Sequence, residues 1–190
     1  MTPGQLDLFP TAPALPAGLR YAPDVITPEN EASLADAMVA LPFRPFQFQG
    51  FTGNRRVVSF GWRYAFDGSG LHRAEPIPDF LLPVRDAASR FAGLAPNALE
   101  HVLVTEYAPG AAIGWHRDRP VFGEVVGLSL LSPARLRFRR RCETKWERAD
   151  LIAKPRSAYH LTGEARSEWE HSIPAVEELR YSITFRTLRA

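Results

Sequence analysis

Apolar and polar residues alternate over short stretches in the second half of the chain, which is the pattern of half-buried β-strands. From Leu99 onward, such stretches are separated by turns that contain glycine, proline and charged residues. The predicted strands cover residues 99–107, 112–117, 124–131, 134–141, 145–152, 156–162, 168–173 and 178–188. Eight short strands in succession favour two sheets packed face to face, as in a jelly roll, over a parallel sheet.

Two helices are predicted in the first half of the chain. The segment Thr27-Pro28-Glu29-Asn30 offers an N-cap hydroxyl, a proline in the first turn and an early acid. Apolar residues then follow at helical spacing, at Leu34, Met38 and Leu41. A second helix is predicted from about Pro78 to Phe91, with Gly93 as its stop. Its apolar stripe consists of Phe80, Leu81, Val84, Ala88 and Phe91. Between the helices, residues 43–66 read as hairpins.

Composition and charge narrow the class of protein only moderately. The 190 residues suit one domain, and 45% apolar and 23% charged residues are ordinary for a globular chain. A formal net charge of +2 gives no argument for a nucleic-acid partner, so the distribution of charge matters more. Five arginines fall within seven residues, at Arg135, Arg137, Arg139, Arg140 and Arg141.

The single cysteine, Cys142, excludes an intramolecular disulfide and a cysteine zinc site. No apolar run is long enough to span a bilayer, and the N-terminus lacks a basic-then-apolar secretory pattern. We therefore expect a cytoplasmic protein without a membrane partner.

Residues 1–17 hold four prolines and are predicted to be a flexible tail before a single domain at residues 18–190. An apolar island interrupts this tail, consisting of Gln5, Leu6, Asp7, Leu8 and Phe9. The pentapeptide resembles the motif by which bacterial repair and replication proteins dock on the sliding clamp. Packing of its apolar side chains on the protein's own domain is an equal alternative, and both remain open.

His116 and Asp118 lie two residues apart in a predicted strand and should therefore point to the same face. One imidazole and one carboxylate are two members of a metal-ligand set, and His171 is available as the third. Two histidines and a carboxylate form the facial triad of non-haem Fe(II) oxygenases. Such triplets are common, however, and a lone one favours structural roles for all three residues.

The last predicted strand places polar side chains on one face, namely Arg180, Ser182, Thr184 and Arg186. Two arginines and two hydroxyl side chains on one face of a final strand are unusual, and they indicate that this face binds an anion. The alternative is an edge strand with both arginines in solvent.

Four segments, in this order, resemble the AlkB-type 2-oxoglutarate- and Fe(II)-dependent dioxygenases. They are Tyr107-Ala108-Pro109-Gly110, His116-Arg117-Asp118, Gly163-Glu164-Ala165-Arg166 leading to Trp169-Glu170-His171, and the strand from Arg180 to Arg186. Together they cover most of the chain from about residue 18 to 188. The resemblance implies an α+β fold, a double-stranded β-helix (jelly roll) with the two helices backing the larger sheet. It also implies that His116, Asp118 and His171 bind Fe(II), with 2-oxoglutarate and O2 as cosubstrates.

By the same resemblance, Arg180 and Tyr107 bind the distal carboxylate of 2-oxoglutarate, and Arg186 approaches the carboxylate at the iron. A forked guanidinium suits a carboxylate in this role. Further positions that match the pocket wall are Thr105, Ser129, Ser182 and Thr184. Better-known members have asparagine at the places of Thr105 and Ser182, so we expect weaker or water-bridged contacts there.

The segment Tyr64–Gly68 resembles part of the family's lid, which places an aromatic ring over a flipped base. A nucleotide-recognition lid is thus expected at about residues 43–70. Its substrate-binding residues are predicted to be Phe66 (stacking against His116), Tyr64, Trp62, Arg55 and Arg56. The Phe46/Phe48 hairpin would hold the nucleic-acid strand by stacking, and Arg55 and Arg56 by phosphate contact. For Phe46, Phe48, Phe60 and Phe66, core packing is an alternative of at least equal weight. Pro120 departs from the DNA-repair members, which have an acid there, so the base preference stays open.

Three functions follow as hypotheses. The leading one is oxidative demethylation of N-alkylated bases in DNA or RNA by a monomeric enzyme, with succinate, CO2 and formaldehyde as products. The second keeps the chemistry but acts on a protein side chain or a small molecule, which Pro120 permits. The third is a non-catalytic nucleic-acid or clamp-binding module with an inactive metal site.

Overall fold

A computed structural model describes residues 15–48 and 51–189. The predicted docking segment Gln5–Phe9 lies outside these residues. The helices are α1 (Pro28–Val39), α2 (Leu82–Ala92) and α3 (Gly163–Ser167), with a 3-10 turn at Asp79–Leu81. The strands are β1 (Leu19–Ala22), β2 (Arg44–Phe48), β3 (Phe51–Phe60), β4 (Trp62–Ala65), β5 (Gly70–Arg73), β6 (His101–Tyr107), β7 (Ile113–His116), β8 (Phe122–Leu130), β9 (Ala134–Cys142), β10 (Lys145–Ala153), β11 (Ala158–Leu161), β12 (Glu170–Ile173) and β13 (Arg180–Leu188).

The predicted jelly roll is confirmed. Strands β6 to β13 are the eight strands expected from the alternation, with ends that agree within two residues. They divide between a larger sheet of order β1-β11-β8-β13-β6-β3-β2 and a smaller sheet of order β10-β9-β12-β7. Every pairing in both sheets is antiparallel. The last strand, β13, therefore lies in the middle of the larger sheet, between β6 and β8.

The two long helices cover the outer side of the larger sheet, as expected. Helix α1 begins at the Thr27 cap, whose Oγ1 accepts a hydrogen bond from the backbone N–H of Asn30 at 3.2 Å. Helix α2 ends at Gly93, where φ is +76°. Their apolar stripes join one core with β6, β8 and β13. Burying a side chain such as Met38 fully contributes roughly 1.5–3 kcal/mol to this core.

Two strands before the jelly roll extend the larger sheet beyond what the pattern predicts. The four residues of β1 are too few to reveal a period, yet they pair with β11. Just before β1, the carbonyls of Ala17 and Gly18 accept backbone hydrogen bonds from Ala165 and Thr162. At the other edge, β3 pairs with β6 and carries β2 outside it.

A separate two-stranded ribbon, β4 and β5, pairs with neither sheet. Its base is closed by Gly61, whose N–H bonds to Glu75 O at 2.7 Å and whose carbonyl accepts from Ala74 N at 3.1 Å. Gly61 has φ +75°, and a Cβ there would overlap with the Glu100 carbonyl, so only glycine fits. Within the described part of the chain, the helices are too short or too polar to cross a membrane.

Candidate active site

The structure brings the three predicted metal ligands together at one end of the smaller sheet. His116 on β7 and His171 on β12 are direct partners in the antiparallel register, and their ring centroids are 4.3 Å apart. Asp118 follows β7 immediately, and its Oδ2 lies 3.7 Å from Nε2 of His171. Residues more than fifty positions apart in sequence thus share one small volume between the two sheets.

The protonation states of these three side chains suit a divalent metal. Burial and, next, the neighbouring His116 lower the pKa of His171 to about 3. Burial also lowers the pKa of His116. Burial alone would raise the pKa of Asp118, but Arg186 and the two histidines outweigh it and hold that pKa well below its ordinary value. Two neutral imidazoles and an ionised carboxylate are the forms that bind a metal.

The tautomer of His116 also leaves a metal-binding nitrogen available. Its Nδ1 lies 2.9 Å from the carbonyl oxygen of Gly114, and a carbonyl can only accept, so Nδ1 carries the proton. The lone pair is then on Nε2. His171 is uncharged at neutral pH, so its contact with Asp118 is not an ion pair. The contact brings together two atoms that can both bind a metal.

The three candidate metal ligands lie close together, but they are not arranged as a complete coordination site. Among residues 15–48 and 51–189, no three His, Cys, Asp or Glu side chains already stand in metal-ligand geometry. The Oδ1 atom of Asp118 instead accepts hydrogen bonds from Arg186, at 2.8 Å from Nε and 2.6 Å from Nη2. The other oxygen of this carboxylate, Oδ2, is the one that faces His171. The chemistry of the donor set fits Fe(II), with two imidazoles and one carboxylate.

Arg186 is held in place from both sides. Opposite Asp118, its Nη1 lies 3.2 Å from Nδ1 of the buried His101. Burial, followed by the charge of Arg186, puts the pKa of His101 well below its ordinary value. Neutral His101 therefore accepts the hydrogen bond and positions the guanidinium beside the ligands.

Arg180 is a completely buried guanidinium whose outer nitrogens lack partners. Its Nε donates to Ser129 Oγ at 3.3 Å, and its guanidinium carbon lies 4.9 Å from the centre of the Tyr107 ring. Neither Nη1 nor Nη2 has a hydrogen-bond partner among the described residues. A buried cation with two unsatisfied donors is costly unless an anion binds it. The forked pair of donors fits a carboxylate such as that of 2-oxoglutarate.

The polar face predicted for the last strand is an interior wall of the jelly roll. The even-numbered residues of β13 from 180 to 186 are all buried, so the alternative of a solvent-exposed edge strand is wrong. Ser182 lies between Thr105 on β6 and Ser129 on β8, and Thr184 faces Gly127. The predicted wall residues are therefore contiguous, and their contact with 2-oxoglutarate stays a prediction.

Sequence patterns did not reveal Tyr159, which lies in the same interior. Burial raises the pKa of its hydroxyl to about 12, and the charges of Arg180, Asp118 and Arg186 all reach it. Its ring occupies the space over Gly127, where any Cβ would overlap with it. Only the three-dimensional pairing of β8 with β11 brings these two residues face to face.

We expect Gly127→Ala to displace Tyr159 and to disturb the adjoining wall. Overpacking of this kind costs about 1–3 kcal/mol. The free energy of unfolding, measured by urea denaturation, should fall by that amount, and the KM for 2-oxoglutarate should rise. Gly114→Ala is the control, because nothing lies within 4 Å of a Cβ at that position. Equal stability of the two variants would show that Tyr159 is free to move.

Arg166 fixes the loop that carries Asp118, a role that the motif Gly163–Arg166 did not reveal. Its guanidinium is buried and donates only to backbone carbonyls of that loop. The acceptors are Asp118 at 3.3 Å, Arg119 at 2.8 Å, Phe122 at 2.6 Å and Gly123 at 2.7 Å. One side chain thereby satisfies four carbonyls and sets the position of a ligand.

Arg166→Gln is expected to weaken Fe(II) binding about 10- to 100-fold, the range typical when support of a metal ligand is lost. Glutamine cannot reach all four carbonyls, so the Asp118 loop loosens. The measurement is an anaerobic Fe(II) titration in the presence of 2-oxoglutarate, followed by visible absorption. Arg117→Gln is the matched control, since exposed Arg117 donates to Ser167 O and to no other acceptor in the described part of the chain. Identical titrations for both variants would contradict the role of Arg166.

The predicted lid aromatics lie beside the metal-ligand loop. Tyr64 and Phe66 make an edge contact at 5.2 Å, and Phe66 makes another with Phe46 at 5.7 Å. Arg119, the residue after Asp118, places its guanidinium 5.1 Å from the Tyr64 ring and 4.9 Å from the Phe66 ring. Phe66 is 40% exposed, which argues against pure core packing. Its stacking against His116 stays a prediction.

The remaining predicted substrate residues have partners of their own. Arg55 lies over the Phe46 ring at 3.8 Å and donates to Ala112 O at 3.4 Å. Arg56 forms a two-pronged ion pair with Glu106, at 2.7 and 2.8 Å. Trp62 stacks with Arg73 at 4.0 Å. A phosphate contact by Arg56 would therefore have to compete with Glu106.

Comparison with known proteins gives one family and several relatives. The family model described as the 2OG-Fe(II) oxygenase superfamily matches residues 18–186. An Arabidopsis thaliana protein named "Alkylated DNA repair protein ALKBH8 homolog" is 27% identical over 198 residues, covering 90% of this chain and 56% of the relative. The Macaca fascicularis protein named "tRNA (carboxymethyluridine(34)-5-O)-methyltransferase ALKBH8" is 27% identical over 166 residues, covering 84% of this chain and 24% of the relative.

Two further similarities are a shorter sequence match and a solved structure. The Danio rerio protein named "Probable RNA/DNA demethylase ALKBH6" is 32% identical over 111 residues, covering 58% of this chain and 45% of that protein. The solved structure of OsALKBH1 superposes with a TM-score of 0.70 at 15% identity, covering 92% of this chain and 98% of the other, which supports the fold. The chain spans between about a quarter and about half of the length of these curated relatives.

Proposed function

Since this chain belongs to the 2OG-Fe(II) oxygenase superfamily and is of AlkB type, we propose that it removes N-linked alkyl groups from bases of DNA or RNA. Its class as a dioxygenase and its need for Fe(II), 2-oxoglutarate and O2 follow from the family. The hypothesis of a non-catalytic module is therefore wrong. The names of three relatives refer to alkylated DNA repair, a tRNA methyltransferase and an RNA/DNA demethylase, which supports a nucleic-acid substrate.

The observation that carries the proposal is the contact of Arg119 with Tyr64 and Phe66. Arg119 follows a metal ligand directly, so the aromatic pair is tied to the loop where a substrate carbon would react. An extruded base needs an aromatic surface at this place, because it loses its stacking neighbours in the strand. A substrate without a flat ring would gain little from two aromatic side chains here.

The protein's own residues then have distinct tasks. His116, Asp118 and His171 would hold Fe(II), and Arg180 would hold 2-oxoglutarate. When bound, these two would supply, together with O2, the oxidation of a substrate C–H bond, coupled to conversion of 2-oxoglutarate into succinate and CO2. Buried side chains on both sheets exclude water from the interior. A hydroxylated N-methyl group is unstable and separates as formaldehyde, which regenerates the unmodified base.

Formaldehyde release from N-methylated oligonucleotides tests this function directly. The Fe(II)-loaded protein should release formaldehyde and form succinate in equal amounts with at least one single- or double-stranded DNA or RNA substrate. His116→Ala should release none. Succinate formation that responds to no methylated nucleic acid would remove the proposal.

A protein or small-molecule substrate remains the second candidate, favoured by Pro120. The first acid after that position, Glu124, is bound to His160 at 2.7 Å. Succinate formation stimulated by peptides or metabolites, but not by oligonucleotides, would favour this alternative. Clamp docking through Gln5–Phe9, a cytoplasmic location and a monomeric state stay predictions.

A further inference from the structure

The outer face of the smaller sheet, opposite the metal ligands, is strongly basic. The arginine cluster seen in the sequence alternates along β9, so that Leu136 and Phe138 point inward. The outward side chains, together with their neighbours on β10, form a surface that we name the arginine face. It consists of Arg135, Arg137, Arg139, Arg141, Trp146 and Arg148. Arg140 points to the other side, where Glu147, Glu164 and Glu168 bind it.

Acidic residues neutralise only part of this face. Arg135 pairs with Asp150 at 2.6 Å, and Arg139 pairs with Glu170 at 2.6 Å. The other three arginines of the face have no acidic partner among the described residues, and they are Arg137, Arg141 and Arg148. The chain as a whole carries only +2, so this concentration of charge is local. A polyanion is the kind of partner whose charge would complement this face.

Aromatic rings are interleaved with these charges. The guanidinium of Arg139 lies between two indoles, 4.4 Å from the Trp115 ring and 4.4 Å from the Trp146 ring. Arg137 lies 5.0 Å from Trp115 on the same side. Trp146 is 40% exposed, which is a large apolar area for a tryptophan that serves no core. Exposed indoles and stacked guanidinium groups are the surfaces on which unpaired bases stack.

We propose that the arginine face binds a single-stranded stretch of nucleic acid outside the active site, an inference that rests on the proposed function. Outward residues of one strand repeat about every 6.8 Å, so the arginines form a regular row for a phosphate backbone. A duplex would hide its bases from Trp146. An acidic peptide would leave that indole unused.

The topology connects this face with the active site. Strand β7 is the edge of the smaller sheet, with Trp115 on the outer face and His116 on the inner face. A nucleic-acid strand that leaves the arginine face therefore crosses one edge strand before it meets Arg119 and the lid aromatics. The arginine face holds the flanking nucleotides, while the lid receives the base.

Binding of a fluorescent 20-nucleotide single strand to the full chain, followed by anisotropy at several salt concentrations, tests this assignment. Arg141→Gln/Arg148→Gln should weaken binding and make the slope of log K against log salt shallower by about 1.4, as expected for two lost phosphate contacts. Trp146→Ala should weaken binding at least about fivefold, while Trp146→Phe should retain most of it. The control is Arg90→Gln, which removes an exposed cation from helix α2, one of the helices that cover the larger sheet.

Activity on short substrates separates this proposal from the proposed function. A methylated trinucleotide is too short to span both sites, so the double glutamine variant should release formaldehyde from it at the wild-type rate. If that variant loses oligonucleotide binding, but the wild type releases formaldehyde from no nucleic acid, the proposed function is refuted. The assignment of the arginine face is then still supported. Wild-type affinity in the variants, or equally tight binding of polyglutamate to the wild type, would overturn the arginine face.

Discussion

His171→Ala is expected to abolish turnover while the protein stays folded. His171 supplies one of three donors, and the two that remain cannot hold Fe(II) with the same affinity. A loss of at least about a hundredfold in succinate formation is expected, because even the loss of a group that supports a metal ligand costs 10- to 100-fold. Succinate formation at saturating Fe(II) measures the effect, with circular dichroism as the check on folding.

Two further variants make this result interpretable. Asp118→Ala should also abolish turnover, but it leaves the buried Arg186 without its charge partner, which costs about 3–5 kcal/mol of stability. His171→Ala leaves no such charge, so only Asp118→Ala should lower the Tm strongly. His160→Gln removes a buried histidine that pairs with Glu124 on another face and should keep turnover. Wild-type activity in His171→Ala would place the third ligand elsewhere.

Arg180→Met is expected to stabilise the protein in the absence of 2-oxoglutarate and to abolish the response to it. Methionine fills a similar space without burying a charge whose Nη1 and Nη2 have no partner among the described residues. Replacing a buried charge by an apolar group is often stabilising by about 1–4 kcal/mol. The variant also loses the hydrogen bond to Ser129 and the contact with Tyr107. We therefore expect a stabilisation at the lower end of this range. Each kcal/mol corresponds to about 2–4 °C in Tm for a chain of this size.

Thermal melts under anaerobic conditions measure both effects. With Fe(II) present and 2-oxoglutarate at a hundred times its Kd, the wild type should gain about 2.7 kcal/mol, and Arg180→Met should gain nothing. Arg90→Met is the control, since Arg90 is exposed and should leave the response unchanged. A 2-oxoglutarate response that survives in Arg180→Met would mean that another residue binds the distal carboxylate.

The strands were predictable because their signal is local. Along β6 to β13, apolar residues occupy the buried face of each sheet and polar residues the other face. This alternation is visible in the residues of each strand by itself. The approach of His171 to His116 could be predicted from the family resemblance but not from spacing, since the register of β7 with β12 depends on the whole fold. The short strand β1 carried too few residues to show a period.

Long-range partners account for what the sequence did not reveal. In the sequence, Arg166 looks like an ordinary arginine of a helix. Its role is visible only in the structure, where its guanidinium donates to the backbone of residues 118–123. Tyr159 gains its place only because Gly127 lies across the sheet. The two-residue period of β9 already separates Arg140 from its arginine neighbours, but it does not reveal that Arg140 binds Glu164 and Glu168. Apart from the Arg140–Glu147 pair, these contacts join residues 24 to 48 positions apart, which no local pattern contains.

The ribbon of β4 and β5 has both ends joined at Gly61, so residues 62–73 form a cassette that enters and leaves the fold at a single point. Neither the metal ligands nor the buried arginines belong to it. Relatives could therefore exchange this cassette and acquire a new substrate preference while the oxidising centre stays unchanged. Grafting residues 62–73 from one relative onto another is a direct route to redesigning what such an enzyme accepts.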